Sequence, residues 1–181
     1  MPRYIAFLRG INVGGHVVKM DALRALFESL RLTSVETFIA SGNVVFQSRA
    51  GDTAALATKI EGLLHRSLGF EVATFIRTDA DVAAIAGHRF WASAKARSAV
   101  ARNVGFLSQS PGAEVTRALT KLSTNTDTFH VDGRELYWAS RAMLSESDFS
   151  YALFEKTLEV RATFRGLNTV RRLAERYAAS H

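Results

Sequence analysis

Arg9-Gly10-Ile11-Asn12-Val13-Gly14-Gly15 is the first stretch of the chain whose residue types could do chemistry. It follows an apolar run and precedes a helical stripe, and at such a junction exposed backbone amides and the positive end of a helix favour an anion. It is not a Walker loop. Gly10 and Gly15 have the required separation, but His16 and Val17 stand where that loop needs Lys and then Ser or Thr. The Gly-x-Gly-x-x-Gly dinucleotide pattern is absent as well. Without a ligand, the same glycines supply positive φ or close packing for a tight turn. The second stretch is Ser41-Gly42-Asn43, which either serves as plain hairpin chemistry or offers a hydroxyl and an amide to a ligand. The third is Arg165-Gly166-Leu167-Asn168-Thr169, where Asn168 or Thr169 suits a helix cap. Beyond it Arg171, Arg172 and Arg176 form either a solvated face or a basic track for a phosphate backbone.

Little else points to catalysis. The histidines (His16, His65, His88, His130 and His181) show no metal-ligand spacing, and no Ser or Thr sits in a nucleophile elbow. The carboxylates are scattered among helix starts and turns, so no acid–base pair follows from spacing. Neither a metal nor a cofactor is expected. The chain has no cysteine, which removes disulfides, thiolate metal sites and a Cys nucleophile. An RNA-recognition sheet would carry aromatics on its first and third strands, yet the third offers only Phe46. Trp91 and Trp138 could stack on a base, but large aromatics at such positions are most often core.

These loops need elements to hold them. Tyr4–Leu8 is an uninterrupted apolar run, the mark of a strand covered on both faces. Met20, Leu23, Leu26, Phe27 and Leu30 recur at helical spacing. Val35–Ala40 and Asn43–Gln47 read as a hairpin turning on Ser41-Gly42. Leu56, Ile60, Leu63, Leu64 and Leu68 form a helix ended by Gly69, and Phe70–Arg77 a fourth strand. This β, α, β, β, α, β order is ferredoxin-like. A connector over 79–102 starts with a helix at Asp79–Ala86. The order then returns as strand Val104–Leu107, helix Ala113–Leu122, a hairpin of Thr128–Val131 and Glu135–Ala139 on Asp132-Gly133, helix Ser147–Leu158 and strand Val160–Phe164, with a last helix over Thr169–Ala178. The expected fold class is α+β: two ferredoxin-like βαββαβ lobes with antiparallel sheets (1–78 and 103–181), joined by a partly helical connector and closed by a C-terminal helix.

In such a lobe the third strand lies beside the first and antiparallel to it, so the hairpin before it leaves the sheet at the same end as the loop after strand one. Arg9, Asn12 and the Gly14-Gly15 amides should then meet Ser41 and Asn43, a cluster suited to phosphate or carboxylate. Composition agrees with a buried core: 48% of residues are hydrophobic, 22% are charged and two are proline. The formal charge of +6 raises the odds of an anionic partner, though a generic basic surface explains it too. No targeting or membrane segment is read at the N-terminus, and a cytoplasmic address is expected.

Leu8-Arg9-Gly10-Ile11-Asn12-Val13-Gly14-Gly15, Ser41-Gly42-Asn43-Val44-Val45-Phe46, and the later Arg165 with Asn168-Thr169-Val170 together resemble the bacterial family known as domain of unknown function 1697. The resemblance covers nearly the whole chain. It implies a two-lobed α+β fold with ferredoxin-like parts and no established activity. Two departures stand out: Gly166 and Leu167 replace an Asn-Trp usual in the family, and Ser147-Asp148 stands where a Ser-Lys pair is usual.

Three functional readings follow. The first is an anion-binding module for a nucleotide or nucleic acid, using Arg9, Gly10, Asn12, Gly14, Gly15, Ser41, Gly42 and Asn43, with Arg165, Asn168 and Thr169 from the second lobe. The second is an enzyme that positions a phosphorylated or carboxylated metabolite with the same groups. The third is a non-catalytic interaction or structural protein whose glycine loops are only turns.

Overall fold

An apolar strand without alternation needs cover on both faces and partners on both edges. In the computed structural model, which describes residues 1–143 and 151–178, Arg3–Leu8 (β1) is that strand, with Tyr4 through Leu8 all buried. Met20–Ser29 (α1), Thr33–Thr37 (β2), Asn43–Gln47 (β3), Thr53–Leu68 (α2) and Thr74–Thr78 (β4) follow. The four strands form one antiparallel sheet in the order β2-β3-β1-β4. Leu23 and Phe27 of α1 and Leu56, Ile60 and Leu64 of α2 bury one face of it. Local chemistry stops α2 at both ends. The Asp52 carboxylate accepts from the Ala54 and Ala55 N–H groups, and Gly69 terminates the helix at φ 81.

Asp79–Ala86 (α3), a 3-10 turn at Arg89–Ala92 and Ala94–Arg97 (α4) come next. The strand-and-helix order then repeats as Ala101–Leu107 (β5), Ala113–Lys121 (α5), Asp127–Asp132 (β6), Glu135–Ser140 (β7), Tyr151–Leu158 (α6) and Ala162–Gly166 (β8), before Leu167–Tyr177 (α7) closes the chain. The second sheet is also antiparallel, in the order β6-β7-β5-β8. The fold is therefore two βαββαβ lobes of ferredoxin-like strand order plus a C-terminal helix. Contacts divide the chain into two units, Met1–Val82 with the residues from Tyr177 onward, and Ala83–Arg176.

The second unit is built on aromatic rings. The Trp138 and Phe154 rings pack against each other, and each also meets Phe129 and Phe164, at 5.1 to 6.4 Å in edge or tilted pairs. The indole N–H of Trp138 donates to Asp127 Oδ1 at 2.8 Å, so a buried donor and a buried carboxylate satisfy each other. On the opposite face of the same sheet, Tyr137 is covered by the segment between α3 and α4. The His88 ring stacks on it at 4.1 Å, and Trp91 meets it edge-on at 5.5 Å while donating its own N–H to the Ile85 carbonyl. Both tryptophans are core, each with its indole N–H already bonded.

Several boundaries differ from the sequence reading, and pairing explains most of them. Leu8, the last residue of β1, pairs with Thr74 and only the Arg9 N–H reaches past it, to the Ala73 carbonyl, so β4 starts late. Leu107 pairs with Ala162 in the same way, which trims Val160 and Arg161 from β8. β2 stops at Thr37 because Ile39 takes φ 51 and Gly42 φ 79, so the link to β3 spans Phe38 to Gly42 rather than turning on Ser41-Gly42. In the second lobe Asp132 still pairs with Glu135, which puts the turn on Gly133-Arg134, with Gly133 at φ 59. Ser147-Asp148 and the start of the helix expected there lie outside the described residues. Among the described residues no helix is long and apolar enough to cross a membrane.

Gly105 lies in β5, and a Cβ there would sit 2.9 Å from the Phe164 ring and 3.2 Å from Leu136 Cβ. Gly105→Ala is predicted to lower stability by about 1–3 kcal/mol through overpacking. Urea denaturation checks this, and an unchanged midpoint would show that the strand yields without cost.

Candidate functional site

The loop from Arg9 to Val18 is fixed at both ends. The Arg9 N–H donates to the Ala73 carbonyl at 2.9 Å, and the buried side chains of Ile11 and Val18 anchor it to the core. Between them the backbone enters the left-handed region at Gly10 (φ 79), Asn12 (φ 57), Gly14 (φ 60) and Gly15 (φ 86). Asn12 is the clasp. Its Oδ1 accepts from the Val18 N–H at 2.8 Å, and its Nδ2 donates to the Ala40 carbonyl at 2.9 Å. The latter bond ties this loop to the one between β2 and β3.

The second tie is backbone to backbone, from the Leu8 N–H to the Gly42 carbonyl at 2.8 Å. A Cβ at Gly42 would come within 3.1 to 3.2 Å of Ile11 Cβ, Leu8 Cβ and the Leu8 carbonyl oxygen, so only glycine fits this approach at its φ of 79. Asn43 is fully buried, and its Nδ2 is shared between the Phe38 carbonyl and Ser41 Oγ, both at 3.0 Å. The structure thus brings Arg9, Asn12, Gly14 and Gly15 to the same end of the sheet as Ser41, Gly42 and Asn43. It also divides their labour. Asn12 and Asn43 spend their amides on holding the two loops in shape. What faces solvent is the Arg9 side chain together with Val13, Gly14 and Gly15. Among the described residues the N–H groups of Val13, Gly14 and Gly15 have no hydrogen-bond partner.

Arg165, Asn168 and Thr169 belong wholly to the second unit. β8 runs into α7 with no intervening loop, so Asn168 and Thr169 sit in the first helical turn and neither caps the helix as the sequence suggested. Arg165 Nη1 donates to Thr163 Oγ1 at 3.0 Å and to the Phe164 carbonyl at 2.9 Å. A hollow of about 300 Å³ opens beside the start of α7, lined by Arg102, Asn103, Met143, Gly166 and Asn168 among others. Arg102 crosses its edge with its guanidinium engaged by the Ala96 and Arg97 carbonyls at 2.7 and 2.9 Å. Arg171, Arg172 and Arg176 are exposed, as a solvated helix face requires.

A further constellation escaped the reading of local spacing. His130 and Asp132 lie two apart on β6 and so project from one face. His88, from the segment before the 3-10 turn, joins them with its Nε2 3.0 Å from Asp132 Oδ2. One donor atom from each of the three lies within 4.8 Å of the others. Burial and the neighbouring His88 ring press the His130 imidazole below the usual histidine range, against a smaller pull from Asp132. The hydrogen bond from His88 holds the Asp132 carboxyl below the usual carboxylate range. The available signal was His-x-Asp on a strand; the third member is distant in sequence and only the fold brings it in.

Comparison with known proteins bears on family and fold. A family model described as protein of unknown function (DUF1697) matches residues 1–137, a span that includes the Arg9 and Ser41 groups and ends before Arg165. The conserved bacterial protein SP0830 from Streptococcus pneumoniae is similar in structure, with a TM-score of 0.77 over 99% of each chain at 24% sequence identity, a likeness of fold. No curated protein matches.

If Asn12 is the clasp, Asn12→Ala removes two hydrogen bonds and also places a Cβ-bearing residue without a compensating side chain at φ 57. The predicted loss is about 1–3 kcal/mol. Asn12→Gly removes the same bonds without the backbone strain and should be milder by up to about 1 kcal/mol. Thermal unfolding of the two variants checks the ranking, and the reverse order would contradict the strained clasp.

Proposed function

Since the chain belongs to the family described as protein of unknown function (DUF1697), its role has to be argued from its own residues, and we propose that the N-terminal unit binds the phosphate of a nucleotide or nucleic acid at the loop between β1 and α1. One observation carries the reading: an exposed guanidinium, Arg9, stands in the same short loop as the unpartnered N–H groups of Val13, Gly14 and Gly15. Successive backbone donors on a glycine turn beside a cation form the arrangement that accepts phosphate oxygens. Asn12 and Gly42 prepare it, because a loop already tied down at Ala40 and Leu8 loses less freedom when an anion binds. The formal charge of +6 adds long-range attraction for the same class of ligand. Arg165, Asn168 and Thr169 are not required for this contact.

The test is a titration of the full chain with inorganic phosphate, ADP and a short single-stranded oligonucleotide, followed by amide resonances. The Gly14 and Gly15 signals should move with at least one of these ligands. Arg9→Ala should weaken that binding by roughly 10- to 100-fold, the range for a hydrogen bond to a charged group. Equal binding by Arg9→Ala and the unaltered chain, or shifts that avoid Val13 to Gly15, would remove this loop as the site.

A further inference from the structure

We propose that His88, His130 and Asp132 form a binding site for one divalent cation of the zinc type at the rim of the second sheet. The donor set is two imidazole nitrogens and one carboxylate oxygen, a combination that suits zinc and neighbouring first-row metals. Tetrahedral bonds of about 2.0–2.1 Å would place the donors about 3.3 Å apart. The observed separations start at 3.0 Å between His88 Nε2 and Asp132 Oδ2, and all fall within 4.8 Å. Side-chain rotation brings donors at these separations to bonding distance.

The surroundings hold the donors in place. His88 stacks on the Tyr137 ring at 4.1 Å and 17°, and Phe90 lies nearly parallel to His130 at 5.9 Å and 11°. β6 sets His130 and Asp132 on one face, next to the Gly133-Arg134 turn. Asp132 keeps a side-chain exposure of 62% and His88 14%, so the cluster opens outward through its carboxylate. That opening leaves the fourth coordination position to water or to an exogenous ligand, the arrangement of a zinc that does more than brace a fold. Exposed Arg89 is the neighbouring cation that opposes the metal's charge, and the Asp132 carboxylate offsets it.

The site also predicts a proton movement. His88 Nδ1 accepts from the Phe90 N–H at 3.1 Å, so the ring carries its proton on Nε2 and donates it to Asp132. A metal taking Nε2 displaces that proton. The neutral ring then carries its hydrogen on Nδ1, and the Phe90 N–H must turn to solvent. Metal binding is thus coupled to the amide of Phe90, a residue that donates nothing to the metal itself.

The experiment is a titration of the untagged full chain with Zn²⁺, followed by calorimetry and amide resonances. One Zn²⁺ per chain should bind, with the Phe90 amide signal shifting as it saturates. His130→Ala and the exposed Asp132→Asn should each lower affinity by at least about 100-fold, beyond the loss typical for an outer-shell partner. His65→Ala, a surface control, should bind as the unaltered chain does. Saturable binding that survives both His130→Ala and Asp132→Asn, or no saturable binding by the unaltered chain, would overturn the proposal. Asp132→Asn changes only an exposed carboxylate, so its result does not depend on the folding of the His130 variant.

Discussion

Two backbone hydrogen bonds at the end of β1 set where the chain leaves the central strand of the N-terminal unit. The Leu8 N–H reaches the Gly42 carbonyl at 2.8 Å and the Arg9 N–H reaches the Ala73 carbonyl at 2.9 Å. With them the exit of the central strand is clamped from both neighbours, and the chain that follows has no freedom in where it leaves the sheet. Close approach at Gly42 is the condition for the first of these, since a side chain there would meet Leu8 and Ile11. A rigid exit fixes the few atoms that the loop exposes, because the entropy of ordering it is met on folding.

Sequence periodicity is informative about this frame because each lobe buries continuous apolar runs. Tyr4–Leu8 reads as a buried strand, and Leu56, Ile60 and Leu64 as one face of a helix, and both are buried as such. Periodicity says nothing about where a partner strand ends, and there the predicted boundaries run past the paired residues. Phe70–Ala73 has strand-like residues, yet β1 ends at Leu8 and the chain beyond it offers them a single bond, from the Arg9 N–H to the Ala73 carbonyl. Ile39 is a strong strand former that takes φ 51 because the link to β3 needs it there, a case of tertiary demand overriding local preference. At Asn168 the chain passes straight from strand to helix, so a residue with good capping chemistry never receives the capping position.

The polar residues that look most functional in sequence divide by how their hydrogen bonds are used. Asn12 and Asn43 carry the versatile amide a ligand would want, and both are consumed inside the protein. A buried amide left unpaired is costly, so Asn43 had to find the Phe38 carbonyl and Ser41. Gly14 and Gly15 have no side chain to spend, and their N–H groups face solvent instead. The His88, His130 and Asp132 group has the opposite history. Beyond His-x-Asp its members carry no common local pattern, because one lies in an irregular segment and the others on a strand whose period of two only matters once the face is known. Local sequence resolves loops that follow one another in the chain, and it is blind to a cluster assembled by stacking on Tyr137.

The repeated lobe separates what the architecture imposes from what this chain adds. In the second unit the Leu107 N–H reaches the Arg134 carbonyl at 2.9 Å and the Ser108 N–H reaches the Arg161 carbonyl at 3.0 Å, the counterparts of the two bonds at Leu8 and Arg9. Clamping the exit of the central strand is therefore a property of the βαββαβ frame and carries no functional message by itself. The loops that leave the two clamps differ. After Leu107 the chain passes through Pro111 and Gly112 into α5, with Gly112 at φ −65 and no left-handed residue on the way. After Leu8 it makes a left-handed run clasped by Asn12 and crosses to Ala40. Left-handed backbone at a non-glycine residue costs energy, and the shorter loop after β5 reaches its helix without it. That run sits where Val13, Gly14 and Gly15 are exposed and, among the described residues, their N–H groups unpartnered, and the loop after β5 has no equivalent left-handed stretch.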